Sequence, residues 1–133
     1  MGLDMHLEGS KSPRRDFDNP ENNMTVDGFR LDSLRLDMGY WRKHPNLHGF
    51  IVNEFNKGLD DCQPIPLNTE DIEKILTAIK EEKLPPTTGF FFGVSDLTEK
   101  QKQYDTEIFT KAMDWLKDNK VGEYRSVWYL ASW

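Results

Sequence analysis

The chain has a single cysteine, Cys62, among its 133 residues. An internal disulfide therefore has no partner, and a thiolate-rich zinc site lacks its ligands. A reducing, cytoplasmic setting is the simplest expectation. No apolar run approaches the roughly 20 residues of a membrane-spanning helix. The opening residues Met1 to His6 lack the apolar core of a signal peptide. Gly2 invites comparison with myristoylation sites, but position 6 is His where Ser or Thr is favoured, so no lipid anchor is expected.

The commonest catalytic templates are also missing. There is no Cys-x-x-Cys pair, His-Glu-x-x-His helix, phosphate loop, dinucleotide glycine pattern or nucleophile elbow. None of these templates assigns a metal or a cofactor. Basic side chains are in deficit, 17 against 23 acidic, for a formal charge of -6. The long-range field repels polyanions, which disfavours general nucleic-acid binding. A local basic patch can still hold a small anion, because at about 0.15 M salt charges beyond roughly 8 Å are screened.

Hydrophobic residues make up 37% of the chain and aromatics 12%, enough to enclose one core but not two. One compact domain over residues 1–133 is expected, with a mobile loop or insertion at 10–27. Leu3, Met5 and Leu7 alternate with Asp4, His6 and Glu8, the period of a half-buried strand. From Gly9 to about Gly28 the sequence is polar, holds Pro13 and Pro20, and shows neither helical nor strand periodicity. Residues Phe29 to Met38 read as a short strand or irregular extended segment. Pro45 suits the first turn of a helix carrying Leu47, Phe50, Ile51 and Phe55 toward a stop at Gly58.

The clearest element follows Asn68 and Thr69, either of which can cap a helix with the stripe Ile72, Ile75, Leu76 and Ile79. Pro85-Pro86 ends it. Gly89-Phe90-Phe91-Phe92-Gly93 reads as a short buried strand. Thr98 with Gln101 opens a third helix with a buried stripe of Tyr104, Ile108, Ala112, Trp115 and Leu116, ended by Asn119 to Gly122. Ser126 to Trp133 reads as a strand that belongs inside the sheet. The expected fold class is α+β: one layer of mainly antiparallel sheet with about three to five strands, both termini in strands, covered by about three helices.

Chemistry-bearing residues concentrate in one place. Tyr40, Trp41, Arg42, Lys43, His44 and His48 fall within nine residues. Aromatic faces stack on planar groups, Arg offers a planar fork and Lys a point charge, so the set suits a small anionic, partly planar ligand. The ordinary alternative is that Tyr40 and Trp41 are core, Arg42 and Lys43 face solvent, and His44 merely precedes the helix. Asp60 and Asp61 can bind a metal, hold a ribose hydroxyl or act as a base, though a surface turn explains them as well. Cys62 reads as a small buried thiol. Asp4 and His6 share one strand face and can in principle join His48 or Asp60. The ligand-binding candidates are Tyr40, Trp41, Arg42, Lys43, His48, Asp60 and Asp61, with no catalytic residue assigned.

Five short segments, Gly2-Leu3-Asp4-Met5, Gly39-Tyr40-Trp41-Arg42-Lys43 with His48, Asp60-Asp61-Cys62, Gly89 to Gly93, and Ala131-Ser132-Trp133, together resemble a group of small uncharacterised phage and bacterial proteins. The match spans most of the chain. Pro45 and the long polar segment after the first strand depart from the group's pattern. The resemblance transfers no catalytic role. It implies a phage-type accessory protein in a host cytoplasm, for which sequestering a host-defence signal is a natural activity.

Three functions compete on this reading. The first is a non-enzymatic binder of a small anionic, nucleotide-like ligand. The second is a protein–protein inhibitor whose acidic surface or 10–27 loop docks a host protein. The third is a small phosphoesterase-like hydrolase using Asp60 or Asp61 with the histidines.

Overall fold

Alternation of Leu3, Met5 and Leu7 does what its period implies: all three are fully buried on one face of the first strand. The computed structural model describes residues 2–89, 91–118 and 123–133. Strand β1 (Asp4–Pro13) lies between β4 (Leu34–Arg42) and β6 (Glu123–Ser132), and β5 (Ile65–Leu67) extends the sheet beyond β6, in the order β4-β1-β6-β5. Every pairing is antiparallel. The terminal strands pair along their whole length, from Asp4 opposite Ser132 to Pro13 opposite Glu123. A separate ribbon joins β2 (Thr25–Val26) to β3 (Phe29–Arg30).

Three helices, α1 (Pro45–Phe55), α2 (Thr69–Lys80) and α3 (Glu99–Lys117), complete the α+β fold. Pro45 occupies the first turn of α1, and Gly58, at φ +73°, closes it by donating to the Val52 carbonyl at 3.0 Å. Asn68 and Asp71 form a reciprocal capping box on α2, whose Ile72, Ile75 and Ile79 are buried. Each such side chain contributes about 1.5–3 kcal/mol of burial. Thr98 caps α3 by accepting from Gln101 N at 3.2 Å.

Four expectations need correction. β1 runs on to Pro13 because β6 supplies a ladder for it, so the polar loop begins later and also contains β2. The described residues of Gly89 to Gly93 form no strand: Phe91 and Gly93 sit at φ +63° and +74°, and Phe92 N donates to Gly89 O at 3.2 Å, a turn that no ladder accommodates. Phe90 lies outside the described residues, as does the Asn119 to Gly122 helix stop. The inner face of α3 is rotated from the expected stripe: Asp105, Phe109 and Ala112 are buried while Tyr104 is 45% exposed. Cys62 is exposed, at φ +59°, not a buried thiol.

Candidate functional site: the groove at the β4–α1 junction

Passage from β4 into α1 turns on Lys43, a non-glycine residue at φ +55°. A left-handed residue of this kind costs about 1 kcal/mol and needs its surroundings to hold it. Lys43 N donates to Leu3 O at 2.8 Å. Gly93 and Gly2 supply the room: a Cβ on Gly93 would sit 3.0 Å from Lys43 Cδ, and one on Gly2 would sit 3.2 Å from both Arg42 Nη2 and Lys43 Cε. The turn leaves Arg42 and Lys43 exposed and drives His44 inward, where it is buried.

His44 is held at both ring nitrogens. Its Nδ1 lies 2.8 Å from Ser95 Oγ, and its Nε2 lies 2.7 Å from Asp105 Oδ2. Ser95 Oγ also accepts the Asn46 N–H at 3.0 Å. Asp105 Oδ1 accepts from Trp41 Nε1 and from Gln101 Nε2, both at 2.7 Å. Trp41 also stacks on Phe109, with centroids 5.4 Å apart and planes 19° from parallel. Charge-assisted bonds of this kind contribute about 1.5–3 kcal/mol each, so a carboxylate on the core face of a helix is tolerated.

One turn further on, His48 repeats the pattern. Its Nδ1 is 2.6 Å from the Tyr129 hydroxyl and its Nε2 is 2.9 Å from Asp60 Oδ1. Burial first, and then the nearby Asp60 charge, push the Tyr129 hydroxyl well above its ordinary pKa. The Tyr129 hydroxyl therefore keeps its proton. Phe92 and Trp133 stand edge-on to the imidazole, at 5.3 and 5.6 Å between centroids. His48, Asp60, Phe92 and Trp133, drawn from four segments singled out in the sequence, thus meet around one ring.

Two cavities flank the junction. One, of about 380 Å³, is lined by Tyr40, Trp41, Arg42, Lys43 and His44 together with Val94, Asp96, Gln101 and Tyr104. The other, of about 350 Å³, shares His44, Asp96 and Gln101 with it and continues along Asn46, Leu84 and Leu97. The shared residues form a common wall, so the two cavities lie side by side and together are termed the groove. Its first end is cationic: Arg42 pairs with Asp4 at 3.0 Å, and the Lys43 ammonium has no ion-pair partner among the described residues. Its second end carries Glu82 and Asp105 against Lys102, which is itself 3.4 Å from Glu82, and Asp96 lines both cavities.

Of the residues chosen from sequence, Tyr40, Trp41, Arg42 and Lys43 come together at the first cavity. His48, Asp60 and Asp61 line a crevice of only about 10 Å³ that has no lining residue in common with it. Asp61 Oδ1 accepts from Gln63 N at 3.2 Å. Asp4 and His6 do not join His48: Asp4 accepts from the Tyr40 hydroxyl at 2.6 Å and His6 lies against the Tyr40 ring, on the opposite sheet face. The Tyr40 hydrogen bond and then Arg42 hold the Asp4 carboxyl below its usual range. Among the described residues no three His, Cys, Asp or Glu side chains are grouped to hold a metal. No helix is long and apolar enough to cross a membrane among them.

Sequence reasoning passed over Ser95, Asp105, Asn46 and Gln101. Asp105 did leave a signal, since it sits at helical spacing from Phe109 and Ala112; a charge on an apolar stripe announces a buried partner. Ser95 left none. Comparison with protein-family models, with curated proteins and with solved structures finds no match to this chain.

Proposed function

We propose that the protein binds a small anionic, nucleotide-like ligand in this groove, with Arg42 and Lys43 meeting the anion and Tyr40 packing beside it. The observation that carries the reading is the convergence of Tyr40, Arg42 and Lys43 on one cavity of about 380 Å³, within the range typical of small-molecule sites. Binding without turnover is favoured because both imidazoles are fully engaged inside the protein, and Ser95 is buried and lines neither cavity. In a phage-type accessory protein such binding would act by sequestering a host signal. Calorimetry with a panel of cyclic and ADP-ribose-type nucleotides tests this: heat that Arg42→Ala or Lys43→Ala reduces is expected, with the ligand recovered intact by mass spectrometry. No heat across the panel removes the reading, and product formation replaces it with a hydrolase.

A protein–protein inhibitor is the second reading, favoured by the apolar side chains on the excursion between β1 and β4. Phe17 and Phe29 are 76% and 77% exposed, and Met24 and Val26 are also exposed. Scattered singly such residues mean little, but four on one excursion resemble a docking surface. Replacing all four with Ser separates the two readings. Loss of a host-protein complex with ligand heat unchanged favours inhibition, whereas an unaffected chain leaves the groove as the functional surface.

A further inference from the structure

We propose that the second half of the groove is a base pocket, which takes the planar heterocycle of a nucleotide while the phosphate lies at Arg42 and Lys43. This rests on the ligand class proposed above and adds which base is preferred and how it is oriented.

Ile79, Leu84, Pro86 and Leu97 give the cavity of about 350 Å³ apolar walls, as a stacked ring requires. Two side-chain amides supply its polar equipment, and each has its orientation set by the protein. Asn46 Oδ1 accepts the Thr87 backbone N–H at 3.1 Å, which leaves Nδ2 as a donor with no partner among the described residues. Gln101 Nε2 donates to Asp105, which leaves Oε1 as an acceptor. Neither amide can flip without losing its bond, since a backbone N–H only donates and a carboxylate only accepts. The two amides together therefore present one donor and one acceptor, the pattern that an exocyclic amino group beside a ring nitrogen completes.

Charge sets the direction of the ligand. Glu82 and Asp105 outnumber Lys102 at this end and Asp96 lines both cavities, whereas Arg42 and Lys43 stand at the other end. A phosphate is repelled from the base pocket and drawn to the opposite end, and amino-bearing edges are favoured over carbonyl edges. The two amides alone would also accept the N–H and carbonyl of hypoxanthine or uracil, so the preference for adenine and cytosine comes from the surplus of carboxylates, which favours an amino group over a carbonyl. Leu97 is 83% exposed and would be covered by a bound ring.

Calorimetry on the full chain with AMP, IMP, ribose 5-phosphate and adenosine decides the matter. AMP is expected to bind about tenfold more tightly than IMP or ribose 5-phosphate, the discrimination of one paired hydrogen-bonding edge. Asn46→Asp keeps the acceptor for Thr87 but replaces the donor, and Leu97→Ser removes an exposed wall. Both should erase the AMP advantage over ribose 5-phosphate, and the charge added by Asn46→Asp weakens the two phosphate ligands alike. Equal binding of AMP and ribose 5-phosphate, or an advantage that survives both substitutions, overturns the base pocket while the anion site stands. If no phosphate ligand binds, the anion reading fails; adenosine heat lost in Asn46→Asp would then still support the base pocket, and absent adenosine heat overturns it too.

Discussion

His44 and His48 stand one helical turn apart and carry the same two partners in the same order, a hydroxyl at Nδ1 and an aspartate at Nε2. The four partners come from four places: the segment before α3, α3 itself, β6 and the loop after α1. The start of α1 is therefore a polar hub through which the helices are tied to the sheet, and the groove is built on top of it.

Removing the carboxylate should show how much the hub contributes. Asp105→Ala strands the N–H groups of His44, Trp41 and Gln101 in a buried site, and is expected to cost about 3–5 kcal/mol. Asp105→Asn keeps an acceptor for some of these donors and should cost less. Urea denaturation of the two variants checks the order. A cost below about 1 kcal/mol for Asp105→Ala would mean that the three groups find other partners.

Alkaline stability should report Tyr129. Its hydroxyl is held well above the ordinary value of 10.0, by burial first and then by Asp60, so the native state keeps a proton that the unfolded chain gives up. Its contribution is full below pH 10 and declines as pH rises from there toward the higher native value. Tyr129→Phe should flatten that part of the stability–pH curve, measured by denaturant unfolding at pH 8 to 11. An unchanged slope would rule out Tyr129 as its source.

At the acid end the sign reverses. Glu123 is held below its usual range by Lys11 first and then Arg125, and Asp4 by Tyr40 first and then Arg42. Their contributions are present above the unfolded values, 4.5 and 3.8, and are lost as pH falls through the lower native ones. Both groups are solvent-accessible, so screening keeps the effect small. Glu123→Gln should shift the acid midpoint of thermal unfolding slightly, and less so in high salt.

Gly49 and Thr87 should prove coupled. A Cβ at Gly49 would collide with Thr87 Oγ1 and approach its Cγ2 and Cβ to 2.8 and 2.9 Å. Gly49→Ala is expected to cost about 1–3 kcal/mol, and Thr87→Ala in the same chain should recover part of it, a non-additivity that a double-mutant cycle reads directly. Because Thr87 N also orients Asn46, Gly49→Ala should weaken AMP more than ribose 5-phosphate.

Groove charge gives the last test. Ligand affinity should fall as salt rises, because Arg42 and Lys43 are exposed and their attraction is screened over roughly 8 Å at 0.15 M. Calorimetry between low and high ionic strength measures the slope, and Lys43→Ala should reduce it. A salt-independent affinity would place the anion elsewhere.

Local rules carried much of the architecture. Pro45 at a helix start, the Asn68 box, Thr98 as a cap and the alternation of Leu3, Met5 and Leu7 are decided by neighbours within a turn or two, so the chain alone determined three helices and strands at both termini. Only the tertiary structure decided that Pro13 continues a strand, that Phe91 turns instead of extending, and that Asp105, not Tyr104, faces inward. It alone joined His44 to Asp105 and His48 to Tyr129, 61 and 81 residues apart. Apolar periodicity is written residue by residue, but a buried polar group is satisfied by whatever distant segment the packing brings within 3 Å of it.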